Sequence, residues 1–456
     1  EALAVLMFLS FILLVFTGYP VAWILGGLAV MFTAFAIILE VDFDLSIGVD
    51  WFFTSLSVDR IWGVMENWVM VALPMFVLMG LLLDRSGIAN QLMIGFSKLF
   101  GRVNGGLAIA VTIIGLLLAA TTGIIGASVV MMTLLALPVM LDRKYDTSLA
   151  TGTIAASGTL GILIPPSIML VIMADLLAIS VGTLFIASVF PGLLLAVLYF
   201  LYLLIRTRIN PSLAPSLPKN IGPSTSKEKM YLILRSFFPP IGLIVLVLGS
   251  IFAGFATPTE AAGVGALGSI LLAIFNRRLS KSVLMEVTER SALTGAMIFG
   301  IFVGATAFSY VFRSLGGDDL IHAFVNEMGF GPWGVLFVMM GLVFLLGFFF
   351  DWVEITLIVL PLFAPIMSTL DFGDHVSSEF IIPWIAVLLA VNLQTSFLTP
   401  PFGFALFYMK GVSPPGVKIQ TIYKGIIPFV NLKLSGLSLM IKFLLIALWL
   451  PTNISE

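Results

Sequence analysis

The sequence predicts an all-α integral membrane protein built from two inverted repeats, each holding a re-entrant hairpin and a broken helix. Three observations predict it: an apolar composition, apolar runs of membrane-spanning length, and two matched Pro-Pro interruptions. Of 456 residues, 60% are hydrophobic and 10% charged, and the mean hydropathy is +1.15. Soluble domains are about half apolar and a quarter charged, so water is the wrong solvent for this chain and a lipid bilayer the right one. The apolar runs are long and solid rather than short and alternating, which excludes a β-barrel; helices satisfy their own backbone groups in hydrocarbon. Cysteine is absent, excluding disulfides and thiolate chemistry. The two histidines, His322 and His375, lie too far apart in sequence for a histidine-rich metal site.

Taken in order, apolar runs fall at 2–18, 20–39, 62–83, 105–140, 148–180, 183–205, 230–255, 259–276, 291–312, 331–368, 381–411 and 425–450. The first begins without the basic start and cleavage site of a signal peptide and reads as a first transmembrane helix. Amphipathic pieces at 87–102 and 316–328 lie between runs, and acidic residues mark 40–59 as an outer loop. The runs 105–140, 148–180 and 331–368 are too long for one crossing and too rich in Gly and Pro for one smooth helix; 381–411 behaves like 148–180. A polar Pro/Ser-rich stretch, 206–228, divides the chain, and the basic residues around it (Arg206, Arg208, Lys219, Lys227, Lys229) place it in the cytoplasm by the positive-inside rule. Outward from there Arg85, Lys98, Arg102, Arg143, Lys144, Arg277, Arg278, Lys281, Arg290, Lys410, Lys418 and Lys424 fall inside. Asp50, Asp59, Asp318, Asp319, Asp371, Asp374 and Glu379 fall outside. The count works only if 105–140 and 331–368 each enter and leave on one side, the first opening inward and the second outward.

The chain is duplicated. Leu163-Ile164-Pro165-Pro166-Ser167 follows Gly161, and Leu398-Thr399-Pro400-Pro401-Phe402 follows Ser396. Upstream, Gly123 precedes Pro138 and Gly347 precedes Pro361 at nearly equal spacing. Further upstream, Arg85-Ser86-Gly87 and Arg313-Ser314-Leu315-Gly316 each open an amphipathic stretch. Order and spacing agree over roughly a hundred residues per half. An odd number of crossings between the halves inverts one against the other, the architecture of secondary transporters. A Pro-Pro pair removes two helix donors and disfavours α geometry before it, freeing carbonyls near Gly161–Ile164 and Ser396–Leu398. Such carbonyls are costly in hydrocarbon unless ligated, and a sodium ion suits them. Hydroxyls of Thr122, Ser396 and Thr399 complete oxygen-only sites of the kind a hard cation prefers. Ser157, Thr159, Ser167, Asn392, Gln394 and Thr395 cluster beside the breaks, where they can bind a substrate carboxylate or tie helices together.

The stretches ATGTIAASGTLGILIPPS (150–167), GFFFDWVEITLIVLPLFAP (347–365) and VNLQTSFLTPPFGFALFYMKGV (391–412) resemble the large membrane subunit of TRAP (tripartite ATP-independent periplasmic) transporters over nearly the whole chain. The resemblance implies an elevator-type transporter with scaffold and transport domains, in the bacterial inner membrane. Scaffold helices then occupy 1–83 and 229–290. The first repeat spans 84–205 and the second 291–450. The resemblance also implies import of a small carboxylate with sodium coupling, a small four-helix membrane partner (Q type) and a periplasmic substrate-binding protein (P type). Carried over residue by residue, one sodium site uses Thr122, Gly161, Ile164 and Pro166, and a second Gly347, Ser396, Thr399 and Phe402, largely through main-chain oxygens. This chain departs from the family at the first hairpin tip, Thr122-Gly123-Ile124-Ile125, where a serine-flanked glycine is common, and at Ser396, where glycine is common.

Asp351 and Glu354 are intramembrane carboxylates at the second hairpin tip, functional candidates by default or groups facing a water-filled cavity. Asp175 reads as a helix-end or interface group. Lys433 and Lys442 lie within the last apolar run and snorkel, pair with a partner subunit or mark an irregular last helix. Other classes fit less well. A stand-alone divalent-anion/sodium symporter would share the inverted hairpins without partners, and a channel would be indifferent to a binding protein. A membrane-embedded enzyme would need motifs absent here: H-E-x-x-H, G-x-S-x-G leading into a helix, or paired aspartates. No catalytic residue, organic cofactor or nucleic-acid partner is expected.

Overall fold

The computed structural model describes every residue except 1, 44–46, 102, 123–124, 217–224, 328, 330, 401–402 and 455–456. The first half contains Ala2–Val15 (α1), Val21–Phe43 (α2), Trp51–Glu66 (α3), Ala72–Arg85 (α4), Ile88–Phe100 (α5), Gly106–Thr122 (α6), Ile125–Asp142 (α7), Thr147–Thr159 (α8), Ile168–Leu176 (α9) and Val181–Ile209 (α10). The second contains Ser226–Phe252 (α11), Pro258–Phe275 (α12), Lys281–Ser314 (α13), Gly317–Glu327 (α14), Pro332–Leu346 (α15), Trp352–Met367 (α16), Ile381–Ser396 (α17), Phe404–Val412 (α18), Ile419–Lys442 (α19) and Leu445–Ile454 (α20). Among the described residues there is no strand. Among the described residues, seven helical segments are long and apolar enough to cross a bilayer, or eight if the bent α11 is one span. Their outward faces carry large apolar side chains such as Trp23, Met31, Val197 and Leu267, as lipid rather than water requires.

Helix ends follow ordinary capping chemistry. Thr225 with Glu228 and Thr257 with Glu260 form capping boxes that start α11 and α12. Asp146 caps α8, accepting from the Leu149 N–H at 2.9 Å and from the Ser148 hydroxyl. Partial burial pushes its carboxyl up, but these hydrogen bonds outweigh that and hold it below the ordinary carboxylate range. Its contribution to stability is therefore complete above the ordinary carboxylate pKa and lost as pH falls through the lowered one.

Three expectations change. The acidic stretch 40–59 is mostly helix: α2 runs to Phe43, and α3 packs on α13 and also meets α2, where the Thr54 and Thr33 hydroxyls lie 2.9 Å apart. Its charges Asp59 and Arg60 are exposed beside equally exposed Val58 and Trp62, while Ser57 is buried, so nothing in its pattern of polarity marks it as a packed helix. The run 62–83 is cut at Asn67, whose side chain caps a 3-10 turn at Trp68–Val71 before α4. The run 425–450 is two helices, because Phe443 leaves helical geometry at φ −118° and ψ 88°.

Both long Gly-rich runs are helix pairs whose ends lie side by side. Gly105 N–H donates to Ala214 O at 3.0 Å and Asp146 N–H to Leu213 O at 2.8 Å, so the α6–α7 hairpin starts and finishes at one place. In the α15–α16 hairpin, Trp333 near the start meets Phe372 and His375 beyond the end, at 5.0 Å between ring centroids in both cases. The arms of this second hairpin are apolar helices of 15 and 16 residues. At 1.5 Å per residue that is about 24 Å, short of a hydrocarbon core of about 30 Å.

Helix α19 measures the separation of the two hairpin bases. Near its start Gly425 is pressed against Ser148, beside the first base; near its end the Ile441 carbonyl lies 2.9 Å from His375 Nε2, beside the second. The rise from Gly425 to Ile441 is roughly 24 Å, so the hairpins open toward opposite ends. Lys418, Lys424, Arg143 and Lys144 gather at the first end, and Asp371, Asp374 and Glu379 at the second, matching the charge segregation in the sequence. The core is α8 and α17, in which every residue from Leu149 to Thr159 and from Pro383 to Ser396 is buried.

The α8–α19 crossing brings backbones together. A Cβ on Gly152 would sit 2.1 Å from Gly425 O, and one on Gly425 2.0 Å from Ser148 O. Gly152→Ala is expected to destabilise by about 1–3 kcal/mol, since backbone cannot yield as a flexible side chain can. Gly242→Ala in α11, with nothing within 4 Å of the new Cβ, is the matched control. Thermal unfolding in detergent checks this; equal melting temperatures for the two variants would contradict the close crossing.

Candidate functional site

The first break is set by prolines. In an α-helix the N–H of residue i serves the carbonyl of i−4, so Pro165 and Pro166 withdraw the donors of Gly161 and Ile162. The chain tightens into a 3-10 turn at Leu160–Ile162, with Leu163 and Ile164 N–H both returning to Leu160 O. Ser167 then repairs one loss: its hydroxyl donates to Ile162 O at 2.5 Å and caps the new helix α9 at Leu170. Gly161 has no such substitute donor in its own segment. Ile164 wedges against Gly192 of α10, where a Cβ would lie 2.5 Å from its side chain.

The second break mirrors this. Pro400 and Pro401 withdraw the donors of Ser396 and Phe397; Thr399 N–H turns back to Ser396 O at 3.0 Å and Leu398 N–H to Thr395 O. The Thr399 hydroxyl donates to Thr395 O at 2.8 Å, leaving its lone pairs outward. Helices α15 and α17 run parallel in three rungs. Trp333 meets Trp384, the Asn392 amide donates to Met340 O at 2.7 Å, and Gly347 lies against Ser396. At the last rung a Cβ on Gly347 would come within 1.9 Å of Ser396 Oγ, so glycine is required there. Asp351 caps α16 through the Trp352 N–H at 2.8 Å, while Glu354 keeps one buried oxygen without a partner.

The halves interlock crosswise. Helix α9, beyond the first break, packs on the return arm α16 of the second hairpin, and α18, beyond the second break, packs on the return arm α7 of the first. Tyr408 of α18 reaches Gly126 near the first hairpin tip.

The expected ion-site residues are thus partly assembled. Gly161, Ile164 and Pro166 share one turn, and Gly347, Ser396 and Thr399 meet at the other. The Thr122 side chain and all of Phe402 lie outside the described residues. Of the expected substrate-binding residues, all six are buried. Ser157 and Thr395 spend their hydroxyls on Thr153 O and Val391 O within their own helices. Ser167 and Asn392 are engaged as above. Gln394 has a fully buried amide with neither atom partnered among the described residues.

Lys433 belongs to the site, and its sequence setting gives no sign of that. It is fully buried on α19, and its Nζ donates to Thr159 Oγ1 at 2.7 Å and to Gln394 O at 2.9 Å. One amino group therefore joins the last residue of α8 to the end of α17, between the two breaks. It neither snorkels nor marks the irregularity of the last run. Lys442 is different: it closes α19 with its Nζ 5.4 Å from the Phe443 ring. Asp175, near the end of α9, accepts from the Asn67 amide at 2.5 Å and so ties α9 to the start of the α4 segment.

Comparison with known proteins agrees with this architecture. Residues 8–446 match the family described as "Tripartite ATP-independent periplasmic transporter, DctM component". A C4-dicarboxylate TRAP transporter large permease protein of Pseudomonas aeruginosa is 30% identical over 87% of each chain. A sialic acid TRAP transporter large permease protein of Vibrio cholerae is 27% identical over 96% of each. Among solved structures, the YdaH transporter of Alcanivorax borkumensis shares the fold at a TM-score of 0.52 and 13% identity, covering 87% of this chain and 90% of that one.

Lys433→Met keeps much of the stem but leaves Thr159 and the Gln394 carbonyl without their donor. Unpartnered buried groups cost about 1–3 kcal/mol, so the melting temperature in detergent should fall, whereas Lys442→Met at the exposed helix end should leave it unchanged. Equal melting for Lys433→Met and the parent chain would show that the bridge contributes nothing to stability.

Proposed function

Because the chain belongs to the DctM component family of tripartite ATP-independent periplasmic transporters, we propose that it imports a small organic acid with sodium as the coupling ion. It is a multi-pass inner-membrane protein and a transport subunit rather than an enzyme. Its proposed partners are a small four-helix membrane subunit and a periplasmic protein that delivers the substrate. The residues 1–83 and 229–290 act as scaffold in this reading. The two hairpins and broken helices, within 84–205 and 291–450, form the moving part.

The observation that carries the sodium reading is the chemistry of the two breaks. Each places carbonyls whose helix donors are prolines in the buried centre of an apolar body, and each has a hairpin helix packed beside it, α6 at the first and α15 at the second. Carbonyl and hydroxyl oxygens without thiolate or imidazole suit a hard monovalent cation. Gly161, Ile164 and Pro166, with Thr122, are the proposed first ligand set; Gly347, Ser396 and Thr399, with Phe402, the second. A carboxylate cargo is supported by the relatives, named for a C4-dicarboxylate and for sialic acid. Ser157, Thr159, Ser167, Asn392, Gln394 and Thr395 are its proposed contacts, with Gln394 the strongest candidate because its amide is unpartnered.

Uptake against sodium concentration, measured with the partner proteins present, tests this. Thr399→Val removes one oxygen ligand at nearly constant volume, a loss of about 1–3 kcal/mol or roughly five- to a hundredfold in sodium affinity. Pro166→Ala restores a donor to Ile162 and lets the helix close over the break, so transport should be abolished. A parent rate indifferent to sodium, or unchanged sodium curves in both variants, would remove the coupling mechanism.

A further inference from the structure

A second polar feature lies away from the breaks. A cavity of about 450 Å³ opens between α3, α13 and the second hairpin arm α16, lined by Arg60, Thr306, Ser309, Tyr310 and Arg313 on one side and by Leu357 and Pro361 on the other. Small-molecule sites span roughly 300–1,000 Å³, so the size admits a small organic acid with water. The charge is more telling. On the acidic face of the molecule the cations are Arg60, Arg313 and Lys442, against Asp50, Asp59, Asp318, Asp319, Asp371, Asp374 and Glu379. Two of the three line this one cavity.

The two arginines do different work. Arg313 donates to Pro361 O at 2.6 Å. That carbonyl lacks its helix donor because residue 365 is proline, so Arg313 repairs α16 and also pairs with Asp318 at 3.4 Å. Arg60 is exposed and, among the described residues, makes no ion pair. Its guanidinium has a fork geometry suited to a carboxylate, and nothing in the packing of α3 calls for it.

We propose that this cavity is an anion vestibule. Arg60 and Arg313 offset the negative face and admit a small mono- or dicarboxylate alongside the second hairpin, a role that deepens the carboxylate-import reading and rests on it. Focusing of this kind raises the local concentration of an oppositely charged solute at a cleft mouth.

The absence of native cysteine permits a direct test that requires neither sodium nor transport. With Ser309→Cys as the only thiol in the purified chain, the probe is the ratio of modification rates by an anionic sulfonatoethyl and a cationic trimethylammonioethyl methanethiosulfonate. Ser377→Cys, on the exposed acidic loop, is the reference. The anionic reagent should be favoured at position 309 and disfavoured at 377. Adding Arg60→Gln should lower the ratio at 309 by roughly 25-fold, about fivefold on each reagent in opposite directions, the effect of one charge a few ångströms away in water, and Arg60→Lys should preserve it. Succinate, or another member of a panel of small organic acids, should slow labelling at 309 in the Arg60 protein and not in Arg60→Gln. An unreactive cysteine at 309, a ratio indifferent to Arg60→Gln, or no protection by any acid on the panel would each overturn the vestibule. Sodium-dependent uptake surviving those results would leave the transport reading intact, while sodium-independent uptake with the expected labelling would do the reverse.

Discussion

A backbone that stops being helical inside an apolar slab has to find partners for its polar groups, and most of this structure follows from that constraint. Proline creates the debt at three places and a different group meets it at each. Ser167 serves Ile162 at the first break. Lys433 serves Gln394, whose helix donor Leu398 has turned to Thr395, at the second. Arg313 serves Pro361 in the hairpin arm. Ser167, Lys433 and Arg313 thus each serve a carbonyl at which the helical ladder is interrupted. The crosswise packing of α9 on α16 and α7 on α18 surrounds both interruptions with protein, a setting in which they are tolerable at membrane depth.

The parts of the fold that were legible in the sequence are those encoded locally. Pro-Pro pairs, Gly-rich runs too long for one crossing and the segregation of basic from acidic loops located the broken helices and both hairpins. What was not legible depends on partners far away. Lys433 looks like an isolated charge in an apolar run because its acceptor Thr159 is 274 residues distant. Helix α3 reads as part of an acidic loop because its apolar and charged residues follow no sided pattern, and only its packing on α13 reveals the helix. The bend at Phe443 has no Gly or Pro to announce it. At the breaks, carbonyl freeing could be argued from ring chemistry alone, but Ser167 as a substitute donor and the rung of Gly347 on Ser396 required coordinates.

Glycine supplies the second half of the architecture. Helices in lipid gain little from burying apolar surface against one another, so close approach and van der Waals contact matter more than in water. Gly115 meets Ser157, Gly158 meets Val129 and Gly152 meets Gly425, each too close for a Cβ. These contacts bring hairpin arms and α19 onto α8 tightly enough to exclude water from it. The buried α8 and α17 are thus held by backbone proximity at some points and by single hydrogen bonds at others.

Helix α19 also bears on how the protein is made. Among the described candidate spans it is the least apolar, and a lysine near the middle of a helix raises the insertion cost by about 2.5–3.5 kcal/mol. Both acceptors for that lysine, on α8 and α17, are synthesised earlier in the chain. The helix least able to enter lipid alone is therefore translated after the groups that make its entry tolerable, and its arrival is what locks the two halves together.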